Sequence, residues 1–267
     1  MSGASLSEDG ALPLEVAGLA VAYGERTAVR QLSFHVASGE IYGLLGSNGA
    51  GKTSTIRSVV GLVKPSSGSI RIFGIDPHVD GLRAKEKVGY VPESPLLFDA
   101  LTPREFLEFV SSVRRLASEE ATARTLTYAR AFQVERELDT PMATLSHGTR
   151  QKMLLTAAFL HQPPLLVLDE PLNNLDPRSV SIMRELLGRY VKTGRRGVLF
   201  STHTMEVAER LCHRVGILDQ GELKGEGTLG GLRAQVDQGD ASLEQIFLRL
   251  TSEEEAVREA VRSLGTG

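Results

Sequence analysis

The stretch "EIYGLLGSNGAGKTSTIRSVV" (40–60) limits the fold more than any other part of the chain. Its first six residues form an apolar run bounded by turn formers, which reads as a buried strand. The next eight, "GSNGAGKT" (46–53), match G-x-x-x-x-G-K-[ST], and Ile56, Val59 and Val60 then recur at helical spacing. A strand that passes through such a loop into a helix turns free backbone N–H groups and the helix N-terminus on one point, which suits phosphate oxygens. A glycine-rich turn that merely starts a helix is the plainer reading, and the strand–loop–helix context weighs against it. On this motif Gly46, Ser47, Asn48, Gly49, Ala50, Gly51, Lys52, Thr53 and Ser54 are candidate nucleotide-binding residues. Lys52, expected to point into an open site, would reach the β- and γ-phosphates, and Thr53 would offer its hydroxyl to Mg2+.

Mostly short strands are expected through 14–73, with "SIRIF" (69–73) clear and "KPSSG" (64–68) as a turn; "KVGYV" (87–91) is a further strand. A helical stretch follows over about 95–160, opened by Thr102 as N-cap, Pro103 at the first helical position and Glu105 as the capping-box acid. "LLVL" (165–168), "GVLF" (197–200) and "VGIL" (215–218) are continuous apolar runs with helices between them. That alternation points to a parallel sheet buried on both faces. The chain from Ala234 looks helical, and "SEEEAVREAVRSL" (252–264) is charged and amphipathic.

The formal net charge is −3, so the basic excess that drives nonspecific nucleic-acid binding is missing. The single cysteine, Cys212, excludes a disulfide framework and points to a reducing cytosol. The N-terminal "MSGASLSEDGALP" lacks a signal-peptide pattern, and no apolar run approaches the roughly 18 residues that cross a bilayer. If the protein works at a membrane, another chain is expected to do the crossing.

"LLVLDEP" sets Asp169 and Glu170 at the C-terminal end of a buried strand, where ligands sit in open α/β sheets. Asp169 is placed to hold Mg2+, and Glu170 to orient and deprotonate an attacking water; two solvated acids at a strand end are the alternative. "LSHGTRQK" (145–152) begins a helix with Ser146 as N-cap. Gly148 lies in that first turn at a cost of about 1 kcal/mol relative to Ala. A glycine tolerated there implies that something approaches the backbone.

Together "GSNGAGKT", "LSHGTRQK", "LLVLDEP", "NNLDP" and "STH", in this order, resemble the ATP-binding cassette (ABC) ATPases over about residues 14–233. The resemblance implies an α/β fold: a P-loop NTPase core with a mixed, mainly parallel sheet, an N-terminal antiparallel β lobe and an inserted α-helical subdomain. The cassette is expected over 14–233, with the helical subdomain at about 95–161, and 234–267 as a C-terminal helical tail. The implied cofactors are ATP and Mg2+, held between two cassettes that close head to tail. Ser146 and Gly148 would then meet the γ-phosphate of ATP bound to the partner, unless Ser146 is only a helix cap. Asp176, in "NNLDP", resembles the aspartate that crosses between subunits, and His203 the histidine that contacts the γ-phosphate. Glu93, in "VGYVPES", stands where the family carries Gln and is assigned to Mg2+ or the attacking water. Tyr23 sits where an aromatic ring stacks on adenine, although a strand tyrosine buried for packing reads the same. His147 and Thr149 depart from the common L-S-G-G-Q signature.

The resemblance implies an ATP-hydrolysing motor subunit of a membrane transporter, of exporter type, working with a separate transmembrane permease and a second cassette. Its expected place is cytoplasmic, peripheral on the inner face of the cell membrane. A soluble ABC ATPase acting on nucleic acid or the ribosome is the alternative, and the charge and the lone cysteine argue against a nucleic-acid partner. Leu96, Leu97 and Phe98 are expected to dock the membrane partner, or else to form a satellite core cluster.

Overall fold

The computed structural model describes residues 10–94, 97–236, 240–253, 259, 262 and 263. Two sheets organise the described residues. The first joins β1 (Leu14–Tyr23), β2 (Arg26–Val36) and β4 (Ser67–Arg71) in the antiparallel order β2-β1-β4. Short strands are expected here, yet β1 and β2 run for 10 and 11 residues. Their buried residues alternate with exposed ones, so no continuous apolar run betrays their length.

The second sheet has the order β5-β6-β7-β3-β8-β9. Its members are β3 (Ile41–Leu45), β5 (Val88–Val91), β6 (Leu165–Asp169), β7 (Gly197–Thr202), β8 (Arg214–Asp219) and β9 (Glu222–Gly227). All its neighbours are parallel except β8 and β9, which makes the sheet mixed and mainly parallel. Leu166 and Leu168 pack into one hydrophobic cluster and Leu165 and Val167 into another, on alternate sides of the same strand. Burial on both faces is why the core strands read as unbroken apolar runs.

Helices α1 (Lys52–Val59), α2 (Gly81–Glu86), α3 (Pro103–Val113), α4 (Ser118–Ala131) and α5 (His147–Leu160) precede β6, and α6 (Pro177–Val191) and α7 (Met205–Leu211) flank β7. The inserted helical subdomain is α3 to α5, between β5 and β6. The capping box of α3 forms as the sequence predicts: Thr102 Oγ1 accepts from the Glu105 N–H, and Glu105 Oε2 accepts from the Thr102 N–H at 2.8 Å. From Met153 to Leu160 every residue of α5 is buried, so this helix carries its N-terminus at a position set by the core.

Beyond β9 come α8 (Leu229–Gln235) and α9 (Leu243–Leu250). Leu243, Ile246 and Phe247 of α9 are buried with Ala208 of α7 and Val215 of β8, which fastens this part of the predicted tail to the core. Most of the predicted amphipathic stretch 252–264 lies outside the described residues.

Candidate nucleotide site

The loop between β3 and α1 is shaped by its glycines. A Cβ on Gly46 would run into the Leu218 carbonyl of β8, so only glycine lets the loop lie this close to the sheet. Gly49 has φ +86° and nothing within 4 Å of where a Cβ would be, so its backbone faces open space in a conformation that suits glycine. Lys52, expected in an open site, is 5% exposed. The loop wraps its ammonium: Nζ donates to the carbonyls of Gly46 (2.8 Å) and Ser47 (3.2 Å) and lies 3.5 Å from Glu170 Oε1.

The acid pair is held by β7. In the parallel register of β6 and β7, Asp169 lies beside Ser201. Ser201 Oγ donates to Asp169 Oδ1 at 2.5 Å and accepts from the Glu170 N–H at 3.1 Å. Glu170 leaves the strand with φ +47°, a left-handed conformation uncommon outside glycine. Its Oε1 lies 3.0 Å from Nδ1 of His203, itself half exposed. Two carboxylate oxygens, Asp169 Oδ2 and Glu170 Oε2, are buried without a hydrogen-bond partner among the described residues. Burial raises the Asp169 pKa, and the hydrogen bond from Ser201 partly offsets that rise.

Tyr23 and Arg26 close the β1–β2 hairpin opposite one another. They line a cleft of about 380 Å³ with Asn48, Gly49, Lys52, Thr53, Ser54, Glu93 and Glu170. Tyr23 is 45% exposed there, which removes the buried-packing reading. Thr53 Oγ1 donates to Glu93 Oε2 at 3.3 Å, so Glu93 reaches the loop between β3 and α1.

The signature residues sit elsewhere: Ser146, Gly148 and Asp176 are not among the residues lining this cleft. Ser146 caps α5, accepting from the Thr149 N–H at 3.2 Å. The group that approaches Gly148 belongs to the same chain. A Cβ there would lie 2.5 Å from the carbonyl oxygen of Asn174, so a close backbone crossing already requires the glycine. Asp176 caps α6, accepting from Ser179 N–H (2.9 Å) and Oγ (2.7 Å), and pairs with Lys152 Nζ at 2.7 Å. The Lys152 ammonium and the Ser179 hydrogen bonds hold its carboxyl well below the usual range.

A phosphate loop, a buried acid pair facing it and a capped glycine-bearing helix thus occur on one mainly parallel sheet. The family model for ABC transporters matches residues 29–173, more than half of the chain. This chain belongs to the ABC transporter ATP-binding family. The cassette is 36% identical to the ABC-type transporter ATP-binding protein EcsA of Bacillus subtilis, over 90% of this chain and 97% of that protein. It is also 36% identical to Nod factor export ATP-binding protein I of Paraburkholderia xenovorans, over 79% of this chain and 69% of that protein. Among solved structures, the ATP-binding subunit of an ABC transporter superposes with a TM-score of 0.85 at 35% identity, covering 89% of this chain and 99% of that one.

The family's general need for ATP and Mg2+ can be tested on the cassette's own atoms. Among the described residues no group of three or more His, Cys, Asp or Glu could hold a metal ion alone. Mg2+ does not need one, since it binds through one or two carboxylates plus substrate phosphates. Thr53, Glu93 and Asp169, with the orphaned Asp169 Oδ2, make a set of hard oxygen donors beside the loop, and they fit the ion.

The motifs by themselves give no role to Arg26, Ser201 or Lys152. The short hairpin turn in "AYGERT" places Arg26 beside Tyr23, which was a readable signal. Ser201, inside "STH", had none, because its role depends on strand register.

Proposed function

We propose that the cassette binds MgATP on its phosphate loop and hydrolyses it, with Glu170 as general base, to drive a separate transmembrane permease. The observation that carries this reading is the state of the Glu170 carboxylate. One oxygen is pinned by Lys52 and His203, and the other is buried with no hydrogen-bond partner among the described residues. A carboxylate with one oxygen fixed and one free suits accepting a proton from a water aimed at the γ-phosphate. Thr53, Asp169 and Glu93 would hold Mg2+, which neutralises charge on the phosphate oxygens. Gly46 to Ser54 cradle the phosphates, Lys52 contacts the β- and γ-phosphates, His203 senses the γ-phosphate, and Tyr23 stacks on adenine.

In this reading Ser146, Gly148 and Asp176 complete the site of a second cassette, identical or not. The free N–H groups at the start of α5 favour an anion. The working place is cytoplasmic, on the inner face of the cell membrane. The permease would cross the membrane; among the described residues of this chain no helix is long and apolar enough to do so. A groove of about 640 Å³ between α2 and the C-terminal end of α3 supplies the dock. It is largely apolar and lined by the exposed Leu62, Leu82 and Val113. Of the residues expected to dock, Phe98 is exposed and edge-on to Phe109 but does not line this groove, Leu97 packs against the core, and Leu96 lies outside the described residues. Export is favoured by the likeness to a Nod factor export protein, and the net charge of −3 disfavours nucleic acid as partner.

The test is MgATP turnover by the wild type and by Glu170→Gln. The variant keeps its size and one oxygen but loses the proton acceptor. Turnover should fall by about 10²–10⁴-fold, while MgATP binding persists and a stable dimer accumulates on size-exclusion chromatography. Near wild-type turnover by Glu170→Gln would remove Glu170 from the chemistry.

A further inference from the structure

Three successive contacts join the first two turns of α5 to the segment that follows Glu170. Gly148 passes beneath the Asn174 carbonyl, the Gln151 amide donates to the Pro171 carbonyl at 3.1 Å, and Lys152 pairs with Asp176 at 2.7 Å. Gln151 is 2% exposed, so its amide is spent inside the protein. Pro171 has no N–H, so its carbonyl is the one backbone group that this residue can offer to a hydrogen bond. Glu170 (φ +47°) and Asn174 (φ +64°) bracket the segment in left-handed conformations that persist when their surroundings hold them. Within it the Asn173 N–H bonds to the Glu170 carbonyl at 3.2 Å, so the segment begins as a turn whose second residue is tied to α5.

We propose that Gln151 is a positioning residue for Glu170: by fixing the Pro171 carbonyl it sets where the carboxylate stands, and Lys152 fastens the far end of the same segment. This rests on Glu170 being the general base. The carboxylate must keep Oε1 at 3.0 Å from His203 and 3.5 Å from Lys52, and both partners come from other elements. Slack at Pro171 moves Glu170 relative to them without touching the phosphate loop. A misplacement of about 1 Å costs on the order of a hundredfold in rate. The contact also joins two parts of the machinery, because the helix whose N-terminus bears Ser146 and Gly148 grips the strand exit that bears Glu170.

The experiment compares kcat, KM for MgATP and melting temperature in Gln151→Met, Lys152→Met, Lys152→Arg, Glu170→Gln and the double variant Gln151→Met/Glu170→Gln. Met fills the space of Gln151 without its donor. It should lower kcat by roughly ten- to a hundredfold and leave KM within about twofold, since substrate binding is untouched. Lys152→Arg should restore most of the rate that Lys152→Met loses. In the double variant Gln151→Met should add no loss to that of Glu170→Gln, because it acts through that carboxylate. A merely structural role would lower the melting temperature and leave kcat of the folded protein intact. Full kcat in Gln151→Met beside an inactive Glu170→Gln overturns the positioning role alone, as does an undiminished loss in the double variant. If Gln151→Met does not fold, wild-type kcat in Lys152→Met overturns it instead. Full turnover in Glu170→Gln removes the general base, and the proposal falls with it.

Discussion

Lys52 and Glu170 face each other with Nζ and Oε1 3.5 Å apart and both side chains almost wholly out of water. The pair joins the first residue of α1 to the end of β6. Lys52 therefore neutralises a buried carboxylate as well as facing the cleft that would take phosphate.

Lys52→Ala should accordingly weaken MgATP binding, abolish turnover and destabilise the fold. Removing one partner of a buried pair costs about 3–5 kcal/mol, and the His203 contact to Glu170 moderates that here. Lys52→Ala/Glu170→Gln should recover much of the loss, because a neutral amide needs no counter-charge. Denaturant unfolding of the four proteins closes the cycle; equal stability of wild type and Lys52→Ala would mean that the pair is not formed in solution.

Asp169 gives a pH-dependent prediction. Its pKa is raised in the folded chain, chiefly by burial. The protonated form is thus the one that folding favours: the stabilisation is complete below the unfolded value near 4 and is lost as pH rises through the folded value. At pH 7 Asp169→Asn should be as stable as the wild type or more so, and the gain should vanish in acid. The same variant should lose Mg2+-dependent nucleotide binding. Melting curves with and without MgATP across pH report both effects, and a destabilised Asp169→Asn at pH 7 would contradict the sign.

At the start of α5, two substitutions separate capping from close packing. Ser146→Ala removes a cap worth about 1 kcal/mol. Gly148→Ala drives a methyl against the Asn174 carbonyl, 2.5 Å from the ideal Cβ, and overpacking of this kind costs about 1–3 kcal/mol. Gly148→Ala should therefore melt lower than the wild type in the isolated chain, before any second cassette is present. An unchanged melting temperature would show that the 170–176 segment yields freely.

The apolar groove is testable on its own. Leu82 and Val113 are 81% and 64% exposed, so Leu82→Glu and Val113→Glu should shift stability by no more than about 0.5 kcal/mol. Basal MgATP turnover should hold, and recovery of a membrane permease with the cassette from detergent extracts should fall sharply. Undiminished recovery in both variants would place the dock elsewhere.

The features legible in the sequence are those whose causes lie within a few residues or repeat along one element. The phosphate loop announces itself in eight residues, the α3 cap has its partners three residues apart, and the core strands show as apolar runs because both faces of the sheet are covered. Tertiary structure alone decided that Lys52 is enclosed, that Ser201 orders both acids, that Asn174 is what crowds Gly148, and that α9 docks on the core. Each of these joins segments distant in sequence. The Asp169–Ser201 neighbourhood follows from the register of β6 on β7, and a register slip of one residue would turn every side chain of the strand to the other face. The amino-acid order states which groups are available to such a site. Which of them meet is fixed when helices and sheet pack, since only packing brings groups from separate elements to hydrogen-bonding distance.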